Sequence, residues 1–219
     1  LDSPDIPDVL LGVSIDITAL KDSFSRLKKL MEETVNGLVS AVEKRDPYTA
    51  GHQRRVSLLA SAIAKKMEMD KTKADGLRIA AIVHDIGKIY VPSEILSKPG
   101  KLTTAEFDLI KTHPMAGFEI LSTINFPWPV AEIVLQHQER KDGSGYPKGL
   151  KDDEILIEAK IISVADVVEA IASHRPYRPS LGIEFALNEI ASNKGVLYDE
   201  EVANACLELF ENKEFSFPE

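Results

Sequence analysis

The 219-residue chain has one cysteine, Cys206, so no disulfide can form within it. Cys206 falls in an apolar pattern with Val202, Ala205 and Leu209, and no histidine lies near it along the chain. That context marks it as core packing rather than a nucleophile. Positive charge is also short: 26 Lys and Arg against 35 Asp and Glu leave a formal net charge of -9. This balance excludes a general nucleic-acid binder, whose surface is basic. It does not exclude a small phosphate ligand, because bound divalent cations reverse the local potential. No apolar run approaches the roughly 20 residues that span a bilayer. Residues 1–20 lack the basic start and apolar core of a secretory signal. The expectation is a cytoplasmic fragment without a membrane segment. Strand signals are confined to one stretch, and no internal repeat or low-complexity segment is found.

A hydrophobic content of 44% with 28% charged residues is that of an ordinary globular protein long enough to bury a core. The stretch 12–18 alternates apolar and polar residues and predicts a single strand, which implies the remnant of an upstream domain. From 20 to 45, Leu20, Phe24, Leu27, Met31, Leu38 and Ala41 follow four-three spacing, interrupted at Thr34. Such a stripe suits either the seam of a parallel homodimer or a helix that packs on its own domain. Asp46-Pro47 breaks it. Helices are then predicted over about 49–67, 72–86, 103–113, 114–123, 130–137, 155–172, 181–192 and 199–211, with Thr103 or Thr104 as an N-cap. The fold class is all-α.

The chemistry-bearing residues sit at the ends or on the apolar faces of these helices. The run Ala81-Ile82-Val83-His84-Asp85-Ile86-Gly87-Lys88 turns from apolar to an imidazole, a carboxylate and a lysine. Charge at the end of a buried helix needs a counter-charge or a cation. His52 shares a face with Val56, Leu59 and Ile63, and so points inward. His113 precedes Pro114 at a helix junction, and His137 continues the apolar face of Val130, Ile133 and Val134. Asp166 lies among Ile162, Val164, Ala165 and Val168. The loop 140–149 carries three glycines and a proline, which either admit a ligand to the backbone or serve as turn chemistry. Arg175-Pro176-Tyr177-Arg178 offers two cations on a rigid turn, and His174 beside it reads as a surface residue. Four histidines and two aspartates without a thiolate suit divalent iron or manganese, with zinc or nickel as alternatives.

In their order along the chain, these motifs resemble the HD-GYP phosphodiesterases of the HD superfamily, over about residues 44–212. They are Asp46-Pro47-Tyr48-Thr49-Ala50-Gly51-His52, His84-Asp85-Ile86-Gly87-Lys88, His113-Pro114, Asp142-Gly143-Ser144-Gly145-Tyr146-Pro147, Val164-Ala165-Asp166 and Arg175-Pro176-Tyr177-Arg178. The stretch 12–18, followed directly by a helix, resembles the last strand of a PAS sensor domain. The resemblance implies three parts: a PAS-like remnant at 1–19, a linker helix at 20–45, and a helical phosphodiesterase bundle at 46–219. It implies hydrolysis of cyclic di-GMP to pGpG or GMP by a metal-activated water, under control of an N-terminal sensor. One ion would be held by His52, His84, Asp85 and Asp166, and a second by His113 and His137, with Asp85 shared. Lys88 would neutralise charge on the phosphoryl oxygens. Asp46, Tyr146, Glu169, Arg175 and Arg178 would contact the nucleotide. A GGDEF-type cyclase is a further partner, met through the Gly143–Pro147 loop.

One position departs from the family pattern. Where two adjacent histidines precede a glutamate, this chain has His137-Gln138-Glu139. Three outcomes follow: a weakened second ion site completed by water or Gln138, a one-ion enzyme of low activity, or a catalytically poor domain that still binds nucleotide. The last corresponds to a receptor or scaffold rather than an enzyme. Cleavage of a different cyclic dinucleotide on the same site is also open, and a redox di-iron oxygenase is disfavoured by the cations Lys88, Arg175 and Arg178.

Overall fold

The computed structural model describes residues 16–43, 51–173 and 180–218. It is all-α: among the described residues no strand forms, and a lone bridge pairs Lys194 with Tyr198. The chain divides into two units, 1–34 and 35–219.

Helix α1 runs Thr18–Glu43. Its first amide, that of Thr18, donates to Asp16 Oδ1 at 2.9 Å, so an aspartate caps the start. This corrects the C-terminal end of the expected strand: Thr18 is helical, while 12–15 lie outside the described residues. Leu20 and Leu27 of the heptad stripe are exposed, as is Leu30. The side chains of Phe24, Met31, Leu38 and Ala41 lie outside the description. No described helix is long and apolar enough to cross a membrane.

The second unit holds α2 (His52–Lys66), α3 (Lys71–Val83), α4 (Ser93–Leu96), α5 (Thr104–Ile110), α6 (His113–Leu121), α7 (Val130–Gln136), α8 (Ile157–Ala172), α9 (Ile183–Asn193) and α10 (Glu200–Glu211). Their starts follow local chemistry. Asp70 accepts from the amides of Thr72 and Lys73 ahead of α3. Thr103 and Glu106 cap each other reciprocally at α5. Asp199 accepts from the amides of Glu201 and Val202 at α10, so the expected helix from 199 begins one residue later. The helix expected to reach 86 ends at Val83, with His84 as its cap, and the chain tightens into a 3-10 turn over Ile86–Tyr90.

Helix α8 is apolar on nearly every side and packs against α2, α3, α7, α9 and α10. Ile161, Ile162, Val164, Ala165 and Val168 are fully buried there, against Leu59 and Ile63 of α2, Leu77 of α3 and Ile133 of α7 in one continuous core. Cutting one such isoleucine to alanine costs about 2–5 kcal/mol. Cys206 belongs to the same core, and burial pushes its thiol up to about 12, which leaves it chemically inert.

Gly87 fixes how closely α6 approaches the turn after α3. A Cβ on it would stand 1.9 Å from the His113 carbonyl oxygen and 2.5 Å from the Gly117 amide nitrogen. Only a residue without a side chain lets the His84-Asp85 corner lie against the start of α6.

Candidate metal centre

Three of the buried histidines are aimed by their own helix ends. His84 caps α3, and its Nδ1 lies 2.8 Å from the Ala81 carbonyl. The Nδ1 of His113, at the start of α6, lies 2.7 Å from the Ile110 carbonyl at the end of α5. His137 caps α7 with Nδ1 2.6 Å from the Val134 carbonyl. Each ring therefore donates to the carbonyl three residues earlier, one of the acceptors a helix end leaves unpaired. Donation from Nδ1 puts the lone pair on Nε2, which faces inward. His52, the first residue of α2, is held differently. Its Nδ1 is hydrogen-bonded to the Glu169 carboxylate, 117 residues away on α8.

The Nε2 atoms converge on two carboxylates. His52 Nε2 lies 3.2 Å from Asp166 Oδ1 and 3.8 Å from Asp85 Oδ2. His84 Nε2 is 3.5 Å from Asp85 Oδ2 and 3.9 Å from Asp166 Oδ1. His113 Nε2 is 3.4 Å from Asp85 Oδ1 and 3.1 Å from His137 Nε2. Two triads result, His52–His84–Asp85 and Asp85–His113–His137, each with ligand atoms within 4.8 Å of one another and each buried. Asp85 belongs to both. Asp166 stands beside the first triad, and its Oδ2 accepts from Gln138 Nε2 at 3.0 Å.

This arrangement fits a divalent cation on its own geometry. With both Nδ1 atoms donating to carbonyls, the Nε2 atoms of His113 and His137 present two lone pairs to each other across 3.1 Å. Lone pairs so close repel unless a cation shares them. Burial pushes His113 down to about 4 and His137 well below the imidazole range, so neither holds an extra proton at neutral pH. The Nε2 atom of His84 is buried without a hydrogen-bond partner, a costly state that a metal bond relieves. Imidazoles and ionised carboxylates with no thiolate suit a hard or borderline divalent ion.

The carboxylates are held ionised. Burial alone would raise Asp85, but the Lys88 ammonium and the surrounding histidines bring it well below the carboxylate range. Burial likewise pushes Asp166 up, and His52 and His84 pull it well below the carboxylate range. His52 itself is lowered by burial, yet Asp166 and Glu169 outweigh this and raise it to about 9.

All six predicted ligands thus lie at one centre. Lys88 Nζ donates to Asp85 Oδ2 at 2.6 Å. The Tyr146 ring meets His113 edge-on at 6.3 Å between centroids. Its loop is folded back on the ligand-bearing stretch: the Tyr146 amide donates to the Gln138 carbonyl, and Glu139 accepts from the amides of Lys148 and Leu150. A Cβ on Gly145 would strike the Glu139 and Arg140 backbone at 2.4 Å, so this fold needs glycine there. Glu169 is buried behind His52, bonded also to Arg55 Nε and Ser173 Oγ, both at 2.6 Å. Asp46, Arg175 and Arg178 lie outside the described residues, as does His174.

Sequence reasoning missed the Arg55–Glu169–His52 chain and the Gln138 contact to Asp166. The first had a signal: His52 and Arg55 on α2, and Asp166 and Glu169 on α8, are each spaced by three and so share a helix face.

The HD domain family model matches residues 37–202. A cyclic di-GMP phosphodiesterase of Thermotoga maritima is 44% identical over 191 residues, 86% of this chain and 52% of the relative. A 3'3'-cGAMP-specific phosphodiesterase of Vibrio cholerae is 36% identical over 171 residues, 78% of this chain and 37% of the relative. The chain thus spans about half the length of the first of these relatives, and less of the second. Among solved structures, a HDG"Y"P protein from Bdellovibrio bacteriovorus superposes with a TM-score of 0.65 at 21% identity, covering 87% of this chain and 64% of that one. At that identity the likeness bears on the fold alone.

Proposed function

The chain belongs to the HD-domain family, and from that premise we propose that it is a metal-dependent phosphodiesterase acting on cyclic di-GMP, with pGpG or GMP as product. The observation that carries this reading is the pair of buried triads sharing Asp85. His52, His84, Asp85 and Asp166 would hold one divalent ion, iron or manganese in preference to zinc or nickel. His113 and His137 would hold a second, with Asp85 common to both. A bound divalent ion supplies Lewis-acid polarisation of a phosphoryl oxygen and acidifies water at neutral pH.

The chain's own residues do the rest. Asp85 and Asp166 stay ionised at neutral pH, and His113 and His137 stay neutral, which is the state each needs as a ligand. Lys88 is fixed against Asp85 and offers its ammonium to charge developing on the phosphoryl oxygens. Tyr146 borders the His113 side and contacts the nucleotide. Glu169 is assigned a different part from the nucleotide contact expected of it: its carboxylate orients His52 and is itself clamped by Arg55 and Ser173. Asp46, Arg175 and Arg178 are proposed nucleotide contacts on the resemblance of their motifs. Helix α1 is proposed as the segment through which an N-terminal, PAS-like sensor acts and through which two copies pair, since Leu20 and Leu27 stand exposed a heptad apart. The reaction is assigned to the cytoplasm.

A second reading has one observation in its favour. Gln138 donates its side-chain amide to Asp166 and brings a neutral amide, in place of an imidazole, beside the ligand set. A weak or inactive domain that binds cyclic di-GMP, or a GGDEF-type cyclase through the Gly143–Pro147 loop, would fit that arrangement. The test is turnover of cyclic di-GMP by anaerobically purified, iron- or manganese-loaded protein. Turnover abolished by chelator and by His84→Ala supports the enzyme, while equal rates with and without chelator refute it. Tight binding without turnover, converted to turnover by Gln138→His, selects the receptor reading.

A further inference from the structure

Beside the second triad lies an open groove of about 560 Å³, lined by Tyr90, Met115, Tyr146 and Pro147 with Asp108 and Glu119 among its polar residues. That volume is in the usual range for small-molecule sites. Its walls grow from the three segments that carry the triad. Asp85 leads into the 3-10 turn that ends at Tyr90, His113 opens the helix that carries Met115 and Glu119, and His137 precedes the loop that carries Tyr146 and Pro147. Tyr146 touches both places, since its ring meets His113 and also lines the groove. A phosphodiester held at the triad would thus have its organic part on this side directed along the groove.

The lining indicates what that part is. Tyr90 is 66% exposed, and Met115, which lines the same groove, is 37% exposed. Flat aromatic faces with a soft thioether take a planar heterocycle by stacking. Asp108 is engaged by Lys111 at 3.2 Å, but Glu119 makes no hydrogen bond or ion pair among the described residues. A carboxylate accepts only, and so matches the N1–H and exocyclic N2 amino donors of guanine, which adenine lacks.

Building on the cyclic-dinucleotide reading above, we propose that this groove is a base subsite, in which one purine of the substrate stacks on Tyr90 and Glu119 selects guanine over adenine. The relatives make the question concrete, because those named above act on cyclic dinucleotides that differ in a base.

The experiment measures binding of cyclic di-GMP and cyclic di-AMP by calorimetry, and turnover of each by the metal-loaded protein, for the unmodified chain, Tyr90→Ala, Tyr90→Phe and Glu119→Gln. Loss of stacking predicts that Tyr90→Ala weakens binding and raises KM roughly tenfold or more with kcat little changed. Tyr90→Phe keeps the face and restores both. Glu119→Gln narrows the preference for cyclic di-GMP over cyclic di-AMP by roughly fivefold or more. If the unmodified protein binds and cleaves cyclic di-GMP while the Tyr90→Ala and Glu119→Gln proteins match it in affinity and preference, the base subsite is refuted and the phosphodiesterase stands. If the unmodified protein neither binds nor cleaves either dinucleotide, the phosphodiesterase reading fails and the subsite falls with it.

Discussion

The two halves of the candidate metal centre are kept in opposite electrostatic states. Around His52, carboxylates dominate: Asp166 on one ring nitrogen and Glu169 on the other raise the imidazole to about 9. Around His113 and His137, burial dominates, with Asp85 the carboxylate that opposes it among the described residues, and His113 is held down to about 4. The first half is built to attract positive charge, and the second is built to keep imidazole lone pairs free. An ion bound in the first half would take the place of a proton that the second half does not hold at neutral pH, and would gain more negative charge in return. The two halves should therefore differ in affinity for the same metal, with Asp85 as the one group whose loss empties both.

The most severe test is Asp85→Ala. It removes the shared ligand, and the expected outcome is loss of both ions and of measurable turnover, read by elemental analysis and product formation. A variant that still retained two ions would break the comparison. Glu169→Gln comes next. It leaves an acceptor for His52 but removes the charge, and should weaken the first half's ion by about 10- to 100-fold, as loss of such supporting partners usually does. The second half should be unaffected in competitive chelator titrations. Equal weakening of both would mean Glu169 serves the centre as a whole.

A finer test uses pH on metal-free protein. The folded pKa of His52 lies above its ordinary 6.5, so its contribution to stability is complete below that value and is lost as pH rises through about 9. The folded pKa of His113 lies below 6.5, so its contribution is present above that value and is lost as pH falls through about 4. Melting temperature against pH should accordingly lose its alkaline decline in His52→Gln and part of its acid decline in His113→Gln. Variants that both kept the parent profile would show that the halves do not differ in this way.

Much of the fold was legible from the chain. Helices α2, α3 and α5 to α10 follow apolar spacing of three and four, and Thr103 was readable as a cap, whereas the short α4 falls in a stretch read as loop and the caps Asp70 and Asp199 were not singled out. The failures have local causes. The alternation at 12–18 resembled a strand, but at its end Asp16 caps a helix at Thr18, while 12–15 lie outside the described residues. The helix carrying His84 stopped early because His84 itself takes the Ala81 carbonyl and turns the chain. At the centre, the residue types and their positions at helix ends could be read in one dimension, since a histidine three residues after a terminal carbonyl needs no distant partner. The Glu169 clamp left only the three-residue spacings on α2 and on α8 as a signal, because the contact itself exists only when those helices lie face to face. Gln138 read as a departure from a two-histidine pattern with three outcomes open; its contact to Asp166 Oδ2 could not be read from the chain.

The most direct measurement is the metal content of anaerobically purified protein during stepwise chelation. Two ions per chain are expected, leaving at distinct chelator strengths, with His137→Ala retaining only the tighter one. A chain that retains no divalent ion at neutral pH, or one that releases two together and is unchanged by His137→Ala, would contradict a centre built from two unequal halves around Asp85.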